Sequence, residues 1–429
     1  MNHTVITVRD NDLCISCGIC VAVCPHKCIE LSHINGMNLP AINFDRCVGC
    51  NKCFEACPGK GFNYRERGET YTENFGLGNA KEFYTAKTKD ENVLMNATSG
   101  GVATEIISHL LNDGEYENAF VIRGHIYCSD VVSTEMISRD SNLYDSQKSR
   151  YLIVSHTKCI EYILAHRAAK LILIGTSCFV HGILNLISMY GLERKNYFII
   201  GLFCDRTMSM NVIEYFRKHK AITHGLKEFF FRTKDAGPVK GWPGGVRIVE
   251  DDSNVIDLPN TERMRVKDYF QPERCLYCLD KLNMFADISI GDNYTSKHSD
   301  RCGSSSVIIR TEEGVRVWKK YETIFDVFAS CEEDIFRSQH LEERRNNYFF
   351  SEIKSKMINS VINDIPVDYE LIYGAGILRT YSEKLKRIRI GKNYMNSPNA
   401  IIRSMRIYKF KLIIKRCLQK IFRLLFMNR

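Results

Sequence analysis

Residues 14–25 read Cys-Ile-Ser-Cys-Gly-Ile-Cys-Val-Ala-Val-Cys-Pro, and residues 47–58 read Cys-Val-Gly-Cys-Asn-Lys-Cys-Phe-Glu-Ala-Cys-Pro. Both runs have the spacing Cys-x2-Cys-x2-Cys-x3-Cys-Pro, which is typical of 4Fe-4S cluster binding. Three cysteines at two-residue gaps can reach three iron corners of a cubane cluster from one compact loop, and the fourth turns away at the proline. The two runs therefore predict two 4Fe-4S clusters and a role in electron transfer.

The fourth cysteine of each run is expected to complete the cluster of the other run, as it does in two-cluster ferredoxins. Structural zinc is the alternative, but zinc needs only four ligands and is usually held by paired Cys-x2-Cys motifs. Cys28 lies outside the pattern, and we interpret it as a small buried apolar residue. The predicted ligands of cluster one are Cys14, Cys17, Cys20 and Cys57, and those of cluster two are Cys47, Cys50, Cys53 and Cys24.

The composition indicates a cytoplasmic protein with more than one domain. The chain has 429 residues, of which 45% are hydrophobic and 18 are cysteine. Disulfide scaffolds belong to short secreted chains, and residues 1–12 contain no apolar signal-peptide core, so we expect the cysteines to stay reduced. We predict an α+β ferredoxin domain over residues 1–64, a larger α/β domain over 65–383 and a basic helical tail over 384–429.

The positive charge of the chain is concentrated in this tail. Residues 384–429 contain fourteen of the 59 lysines and arginines and no acidic residue, so the other 45 basic residues are outnumbered by the 50 acidic ones. Phe410, Ile413 and Ile414 begin an apolar face with helical spacing, while basic residues occupy the other side. Such a helix favours contact with the inner face of an anionic membrane or with an acidic partner, and packing on its own domain is the alternative. Nucleic acid is not expected as a partner, because no nucleic-acid-binding fold accompanies the charge.

The central part of the chain is predicted to form a mixed sheet covered by helices. The stretch Leu171–Leu192 lacks charged residues, but Gly175-Thr176-Ser177 interrupts it, which favours a strand, a loop and a helix over a transmembrane span. Helical spacing from Val102 to Leu111 predicts another helix. Short apolar runs predict further strands at 119–122, 197–203, 288–290 and 307–309.

The sequence Ser99-Gly100-Gly101 directly precedes the helix predicted to begin near Val102, and this arrangement suits a cofactor diphosphate. Adjacent glycines let backbone amides approach an anion, and the start of a helix adds unsatisfied N–H groups and the positive end of its dipole. Thr98, Ser99 and Thr104 would supply hydroxyl donors. An ordinary helix-entry turn is the alternative.

Two carboxylates, Asp287 and Asp292, bracket the strand predicted at 288–290. Acids beside a redox site can orient a cofactor or relay protons, and they can equally cap a strand and a turn.

Four further cysteines are placed to form a third metal site. Cys178 and Cys204 each follow a predicted strand, and ligands of open α/β sheets bind beyond the carboxyl ends of the strands. Cys275-x2-Cys278 adds two thiolates from a separate loop, which completes the ligand set of a third 4Fe-4S cluster. Zinc and four separate core cysteines are the alternatives. The two clusters upstream favour iron and sulfur.

Several motifs, taken in order, resemble those of the family of coenzyme F420 hydrogenase/dehydrogenase beta subunits. The resemblance runs from Cys14 to about Thr311. The motifs that carry it are Thr85-Ala86-Lys87 to Asp90, Ser99-Gly100-Gly101-Val102, Gly175-Thr176-Ser177-Cys178, Gly201-Leu202-Phe203-Cys204, Pro272-Glu273-Arg274-Cys275-x2-Cys278 and Ala286-Asp287-Ile288-Ser289-Ile290-Gly291-Asp292.

The resemblance implies an FAD-containing iron–sulfur oxidoreductase. Its clusters would take electrons from a ferredoxin-like donor and pass them to FAD, which would exchange a hydride with a deazaflavin coenzyme, F420, or with another acceptor. Carried over to this sequence, Ser99 to Val102 would contact FAD, and Cys204, Cys275 and Cys278 would bind the third cluster.

The sequence departs from the family pattern in two loops, which leaves the hydride acceptor open. The loop after Gly175 reads Thr-Ser-Cys-Phe, and the stretch after Cys204 reads Asp-Arg-Thr-Met. The fused ferredoxin domain and the basic tail resemble stand-alone members of the family, some of which occur beside surface-polysaccharide genes. The alternative function is a non-catalytic iron–sulfur module for electron transfer or redox sensing.

Overall fold

The computed structural model describes residues 4–69, 75–125, 132–220, 222, 224–238, 240–295, 297–365 and 375–426, without the side chains of 375, 412 and 415–426. The described α-helices are α1 Val5–Asp10, α2 Ile19–Ala22, α3 Lys52–Glu55, α4 Glu91–Asn96, α5 Val102–Asn112, α6 Thr157–Ala165, α7 Ser177–Tyr190, α8 Asn211–His219, α9 Asn260–Phe270, α10 Glu312–Tyr321, α11 Glu332–Ser338, α12 Leu341–Ile358, α13 Ala375–Lys392 and α14 Asn399–Phe426. The described strands are β1 Ile29–Ile34, β2 Met37–Ile42, β3 Phe62–Asn63, β4 Glu82–Thr88, β5 Asn118–Ile122, β6 Val132–Ile137, β7 Val154–Ser155, β8 Leu171–Thr176, β9 Tyr197–Leu202, β10 Leu226–Thr233, β11 Gly245–Glu250, β12 Val255–Leu258, β13 Ile288–Asp292, β14 Ser305–Ile309, β15 Phe325–Ala329 and β16 Asn363–Asp364.

A nine-stranded mixed sheet forms the centre of the molecule, with the order β15-β4-β14-β13-β9-β8-β5-β6-β7. Strands β5, β8, β9 and β13 pair in parallel, whereas β4, β14 and β15 pair antiparallel with their neighbours. Strand β6 is antiparallel to β5 and parallel to β7. The predicted mixed α/β fold is therefore confirmed. Because parallel strands end at one edge of a sheet, the loops after β8, β9 and β13 lie next to one another.

Both faces of the sheet are covered, which explains why its central strands are almost wholly apolar. Every side chain of β9 from Tyr197 to Ile200 is buried. Strands buried on both faces read as continuous apolar runs rather than as alternating ones. Helices α5 and α10 pack on one face, and α6 and α7 pack on the other.

The ferredoxin-like domain lies against α7 and shares its hydrophobic core. Ile15, Ile19 and Ala56 belong to the same buried cluster as Phe179 and Ile183. Contact between the two parts is close at Gly182, where an added Cβ would lie 2.3 Å from the Cδ1 atom of Ile19. Strand β3 also pairs in parallel with β16, near the other end of the chain. The ferredoxin-like domain is thus packed into the body of the protein, and the proposed boundary at residue 64 stays a prediction.

A smaller antiparallel sheet, β10-β11-β12, packs on α8 and α9. It carries residues to the edge of the large sheet where β13 ends, because Arg232 near the end of β10 contacts Asp292 at the end of β13.

The C-terminal helices pack against the rest of the protein at first, and the later part of α14 is exposed. Helix α13 crosses the predicted boundary between residues 383 and 384, and Ile388 and Ile401 are buried. Farther along α14, Ile407 and Phe410 are 58% and 64% exposed. The apolar face predicted for the tail is therefore exposed over this part of the helix, and its continuation beyond Ile414 lies outside the described side chains. Among the described residues, the helices are all too short or too polar to cross a membrane.

Candidate metal centres and cofactor site

The first cysteine set gathers around α2, with Cys57 joining it from the loop after α3. Cys17, Cys20 and Cys57 are all less than 10% exposed. Burial, followed by the nearby Cys57 thiol, raises the pKa of Cys17 well above its ordinary value. Burial and the neighbouring Cys17 and Cys57 thiols raise the pKa of Cys20 in the same way. The structure thus brings Cys14, Cys17, Cys20 and Cys57 together, in the crossed arrangement that the sequence predicts.

Such a buried set of thiols fits a metal cluster. Burial is the largest cause of the raised pKa of these thiols, so without a cation they stay protonated, whereas iron binds the thiolate form directly. The loop is shaped for close packing, because Gly18 has a left-handed φ of 71° and an added Cβ there would lie 2.2 Å from Oγ1 of Thr157.

The second cysteine set lines a pocket at the surface of the ferredoxin-like domain. The pocket, together with the open solvent at its mouth, has an empty volume of about 330 Å³. Its thiols come from Cys24, Cys28, Cys47, Cys50 and Cys53. The fourth cysteine of the first run again lies with the other set, as predicted, because Cys24 lines the same pocket as the cysteines of the second run. Cys50 is exposed, and Phe44 and Val48 beside it are 65% and 62% exposed.

The third cysteine set lies where β8 and β9 end. Cys178 lies in the first turn of α7, and Cys204 follows β9. Burial, followed by the charges of Cys178, Cys275 and Cys278, raises the pKa of Cys204 well above its ordinary value, so the four thiols share one site. Helix α12 supports this site through Asn347, whose amide donates hydrogen bonds to the carbonyl oxygens of Cys275 at 3.4 Å and Cys278 at 2.9 Å.

Arg274 lies between the first and third cysteine sets. It is 6% exposed, and its Nε donates a hydrogen bond to the Gly59 carbonyl at 3.2 Å, while its Nη1 has no hydrogen-bond partner among the described residues. Burial raises the pKa of both Cys57 and Cys178, and the Arg274 charge opposes this effect at each thiol. One cation therefore acts on both sets, which places them next to each other.

The loop predicted to bind a diphosphate lies between α4 and α5, packed against β4 and β14. The Gly100 N–H donates to Oγ of Ser305 at 3.1 Å, and an added Cβ at Gly100 would lie 2.4 Å from the Ala86 carbonyl oxygen. Oγ1 of Thr98 accepts a hydrogen bond from the Ser149 N–H at 2.8 Å. Gly101 caps α5 with a left-handed φ of 76°, and Val102 and Thr104 lie in the first turn. The glycines are thus required by close packing, with or without a ligand.

Cations surround this loop. Lys234 is 3% exposed, and its Nζ donates to the Ser99 carbonyl at 2.9 Å. Burial, with help from the Arg232 charge, lowers the pKa of Lys234 to about 8. Lys148 is also held in place, donating through Nζ to Oδ1 of Asn96 at 2.5 Å, and burial lowers its pKa. A helix start with one buried and one half-buried lysine nearby is suited to an anion.

Asp292 lies at the same edge and is held by three side chains. Arg232 donates to both its carboxylate oxygens, at 2.6 and 3.2 Å, and Trp242 and Tyr294 donate to it at 2.9 and 3.1 Å. Although burial opposes ionisation, the Arg232 charge holds the pKa of Asp292 below its ordinary value. The Ser304 carbonyl links this group to the predicted loop, because it accepts hydrogen bonds from the Ser99 hydroxyl and from the residue after Asp292.

Asp287 lies at the opposite end of β13. Its carboxylate accepts hydrogen bonds from the Ile199 N–H at 2.7 Å, from the Thr311 hydroxyl at 2.7 Å and from Arg194 at 2.9 Å. These contacts tie β13 to β9 and to the start of α10. The cofactor role suggested for Asp287 stays a prediction, and the structure separates it from Asp292 by the length of the strand.

Comparison with known families identifies the family to which this chain belongs. Residues 83–161 match the model of the N-terminal part of the coenzyme F420 hydrogenase/dehydrogenase beta subunit, and residues 168–325 match its C-terminal part. The chain belongs to this family. Residues 13–61 match a 4Fe-4S dicluster domain, so the F420 beta-subunit domain is joined here to a 4Fe-4S-binding ferredoxin-like domain.

The individual relatives have low sequence identity to this chain. One component of the F(420)H(2) dehydrogenase of Methanosarcina mazei is 26% identical over 337 residues, which cover 73% of this chain and 84% of that one. The coenzyme F420 hydrogenase beta subunit of Methanosarcina barkeri is 23% identical over 251 residues, or 57% and 79% of the two chains. A chain of the F420-reducing [NiFe] hydrogenase complex of M. barkeri shares the fold, with a TM-score of 0.50 and 20% identity over 67% of this chain and 97% of that one.

Several residues of the F420 beta-subunit domain were missed by sequence reasoning. Arg232 and Lys234 come from β10 and the turn after it, where no periodic pattern marks them, and Arg274 was quoted only as part of a cysteine motif. Trp242 gave the one usable signal, because Gly241-Trp242-Pro243-Gly244-Gly245 marks a constrained loop around one of only two tryptophans.

Proposed function

We propose that this protein is an iron–sulfur flavoprotein oxidoreductase. It would take two electrons, one at a time, from a ferredoxin-like protein and pass them through three 4Fe-4S clusters to FAD. Together with a proton from solvent, these electrons would leave as a hydride to coenzyme F420 or another acceptor. FAD would supply the change from single-electron transfer to hydride transfer. The family supports electron transfer by an iron–sulfur protein of the F420 hydrogenase/dehydrogenase type.

The observation that carries the proposal is the succession of the three cysteine sets. The second set lies at the surface, the first is buried behind it, and the third is next to the first across Arg274. Cys20 and Cys53 connect the first two sets, because the charge of Cys53 contributes to the raised pKa of Cys20 after burial and the nearer thiols. This order favours entry of electrons at the exposed set.

A short chain of hydrogen bonds leads from the third set to the proposed flavin site. The Cys204 N–H donates to the Lys281 carbonyl at 2.8 Å, and Lys281 donates through Nζ to the Gln339 carbonyl. The Gln339 amide then donates to the Asp292 carbonyl at 2.8 Å. These bonds hold the third set and the Asp292 group in a fixed relation, as electron transfer between them requires.

The protein's own groups suit a dinucleotide at this edge. Ser99, Gly100 and the start of α5 would face the diphosphate, with Lys234 and Lys148 balancing its charge. Trp242 and Tyr294, whose ring centroids lie 5.5 Å apart, offer aromatic surface beside Asp292. The Arg232–Asp292 pair would fix the orientation of these rings.

Anaerobic reconstitution of the full chain tests the proposal. We expect one FAD and about twelve iron atoms per chain, since three cubane clusters hold four each. Replacing Cys275 by serine should remove about a third of the iron and uncouple flavin reduction from the remaining clusters. Iron without extractable FAD would instead support the alternative of a non-catalytic electron-transfer or redox-sensing module.

The pH dependence of flavin binding tests the site itself. In the free protein, Lys234 loses its proton above a pKa of about 8, while a bound diphosphate favours the charged lysine. Binding above pH 8 must therefore take up a proton, so FAD affinity should fall about tenfold between pH 8 and 9.5 in a fluorescence titration. Lys234→Met should bind weakly at all pH values, with a flat profile over this range.

The exposed apolar residues of α14 lead us to propose, in addition, that the basic tail contacts a membrane surface. Ile407, Phe410 and Ile413 are each at least half exposed, next to lysines and arginines. Sedimentation with anionic liposomes should retain the full chain and release a variant that ends before Ser397. Equal partitioning of the two chains would contradict this part of the proposal.

A further inference from the structure

Five thiols, rather than the four that a cubane cluster needs, line the pocket of cluster two. The fifth belongs to Cys28, which is 5% exposed. Its Sγ lies 3.3 Å from Sγ of Cys24, and its backbone N–H donates to the same sulfur at 3.4 Å. Cys28 is buried, as the sequence predicts, and it also lies in direct contact with a predicted ligand.

The backbone holds this pair of sulfurs together. After Pro25 the chain makes a tight turn, in which the Lys27 N–H donates to the Cys24 carbonyl at 3.1 Å and Lys27 adopts a left-handed φ of 46°. On the far side, the Cys28 carbonyl accepts a hydrogen bond from Asn43 at 2.8 Å, at the base of the β1–β2 hairpin. The turn and the hairpin therefore fix the Cys28 backbone, with its sulfur 3.3 Å from the position that the Cys24 sulfur occupies.

We propose that Cys28 is a reserve ligand of cluster two. In the ordinary state its S–H donates to the Cys24 sulfur, and when the iron–Cys24 bond breaks, Cys28 takes the vacated coordination position. The exchange is balanced within the pair: the Cys28 thiol gives its proton to the Cys24 thiolate, one Fe–S bond breaks, one forms, and no electron is gained or lost. The inference depends on the predicted ligands of cluster two and is independent of the proposed flavin site.

A reserve thiol suits the place of cluster two in the molecule. This cluster lies at the surface, beside exposed Cys50, Phe44 and Val48, where a partner protein and solvent reach it. A cluster that loses one ligand to solvent loses iron next, because an open iron position binds water. A second thiol 3.3 Å from the first keeps that position occupied.

The internal repeat of the sequence supplies a control. Cys24-Pro-His-Lys-Cys28 corresponds to Cys57-Pro-Gly-Lys-Gly61 in the second run, so the position equivalent to Cys28 is a glycine. Cluster one, which receives Cys57, therefore has no reserve thiol at this position. The same substitution at Cys24 and at Cys57 should have different consequences.

The test uses the full chain, reconstituted anaerobically, with iron content and the EPR spectrum of the reduced protein as readouts. Cys24→Ala should keep the iron content of the unaltered chain and show a shifted cluster-two signal, because the ligand has changed. Cys24→Ala combined with Cys28→Ala should lose about four iron atoms per chain, and Cys57→Ala alone should lose a similar number. Equal iron loss in the single Cys24 variant and the double variant would overturn the proposal.

A second variant covers the case in which the alanine variants fail to fold. Cys28→Ser leaves all predicted ligands in place and removes the reserve thiol, while its hydroxyl can still donate to the Cys24 sulfur. It should keep its iron content and lose cluster-two iron faster than the unaltered chain when a chelator is added. Iron release at the unaltered rate would contradict a reserve role.

Discussion

Cluster one and cluster two of the ferredoxin-like domain have the same cysteine spacing, but the structure places them in different surroundings. Three cysteines of cluster one, Cys17, Cys20 and Cys57, are buried in cores shared with α7 and with the segment around Leu276 and Tyr277, whereas Cys14 is partly exposed. The pocket of cluster two opens at the surface, next to exposed Phe44 and Val48. The first set is therefore the more enclosed of the two, and the second has solvent on one side.

Under the proposed function, this difference would give the two clusters different tasks. A buried cluster exchanges electrons with its neighbours inside the protein, and its potential is set by fixed charges such as Arg274. An exposed cluster is accessible to a partner protein, and water screens the charges around it. Three substitutions, given from the largest expected effect to the smallest, test this comparison.

Replacing a buried ligand should cost much more than replacing an exposed one. Cys20→Ser puts a hydroxyl into a core position that is 6% exposed, at a cost of about 1–3 kcal/mol, and also removes the stabilisation that cluster one provides. Cys50→Ser, at the exposed ligand, should reduce cluster-two iron with a much smaller fall in the unfolding midpoint. Thermal unfolding under argon measures both, and equal destabilisation would contradict the comparison.

Removing the charge of Arg274 should affect cluster one and the third cysteine set and leave cluster two unchanged. Loss of a buried cation makes addition of an electron less favourable, so Arg274→Gln should lower the midpoint potential of cluster one by about 60 mV. A shift of this size is a tenfold change in the equilibrium constant of a one-electron couple. The control is Arg46→Gln, because Arg46 is exposed beside cluster two and donates to the His26 carbonyl at 2.9 Å. EPR-monitored redox titration separates the two signals, and equal shifts in both variants would refute the assignment.

A surface substitution beside cluster two should change only the reaction with the partner protein. Val48→Ser removes an apolar side chain that is 62% exposed and should raise the KM for a ferredoxin-like donor by about fivefold, as expected for a contact worth about 1 kcal/mol. The matched control is Val255→Ser, at a residue 51% exposed in β12. Stability should change by less than about 0.5 kcal/mol in both variants. An unchanged KM for Val48→Ser would exclude this face as the entry point.

Part of the central sheet was predictable because it follows from local patterns. Apolar runs identified β5, β8, β9, β13 and β14, and helical spacing identified α5, to within two residues at each end. The pairing order of the strands was not predictable, since antiparallel β4 and β14 extend the parallel strands from a distant part of the sequence. The tail shows the same limit. Its helical form was predictable from the spacing of its residues, but the burial of Ile401 and the exposure of Phe410 depend on where the rest of the protein contacts the helix.

The sequence by itself determined the chemistry of the metal centres, because the spacing of cysteines within a loop fixes which thiols can reach one cluster. It also placed a glycine pair before α5. Only the tertiary structure decided that Arg274 lies between two cysteine sets, that Arg232, Lys234 and Asp292 meet at one edge, and that Cys28 contacts Cys24. The physical reason is that the cysteines of a ligand loop lie within about ten residues of one another in the sequence. Burial and charge at a site depend instead on chain segments that are hundreds of residues apart.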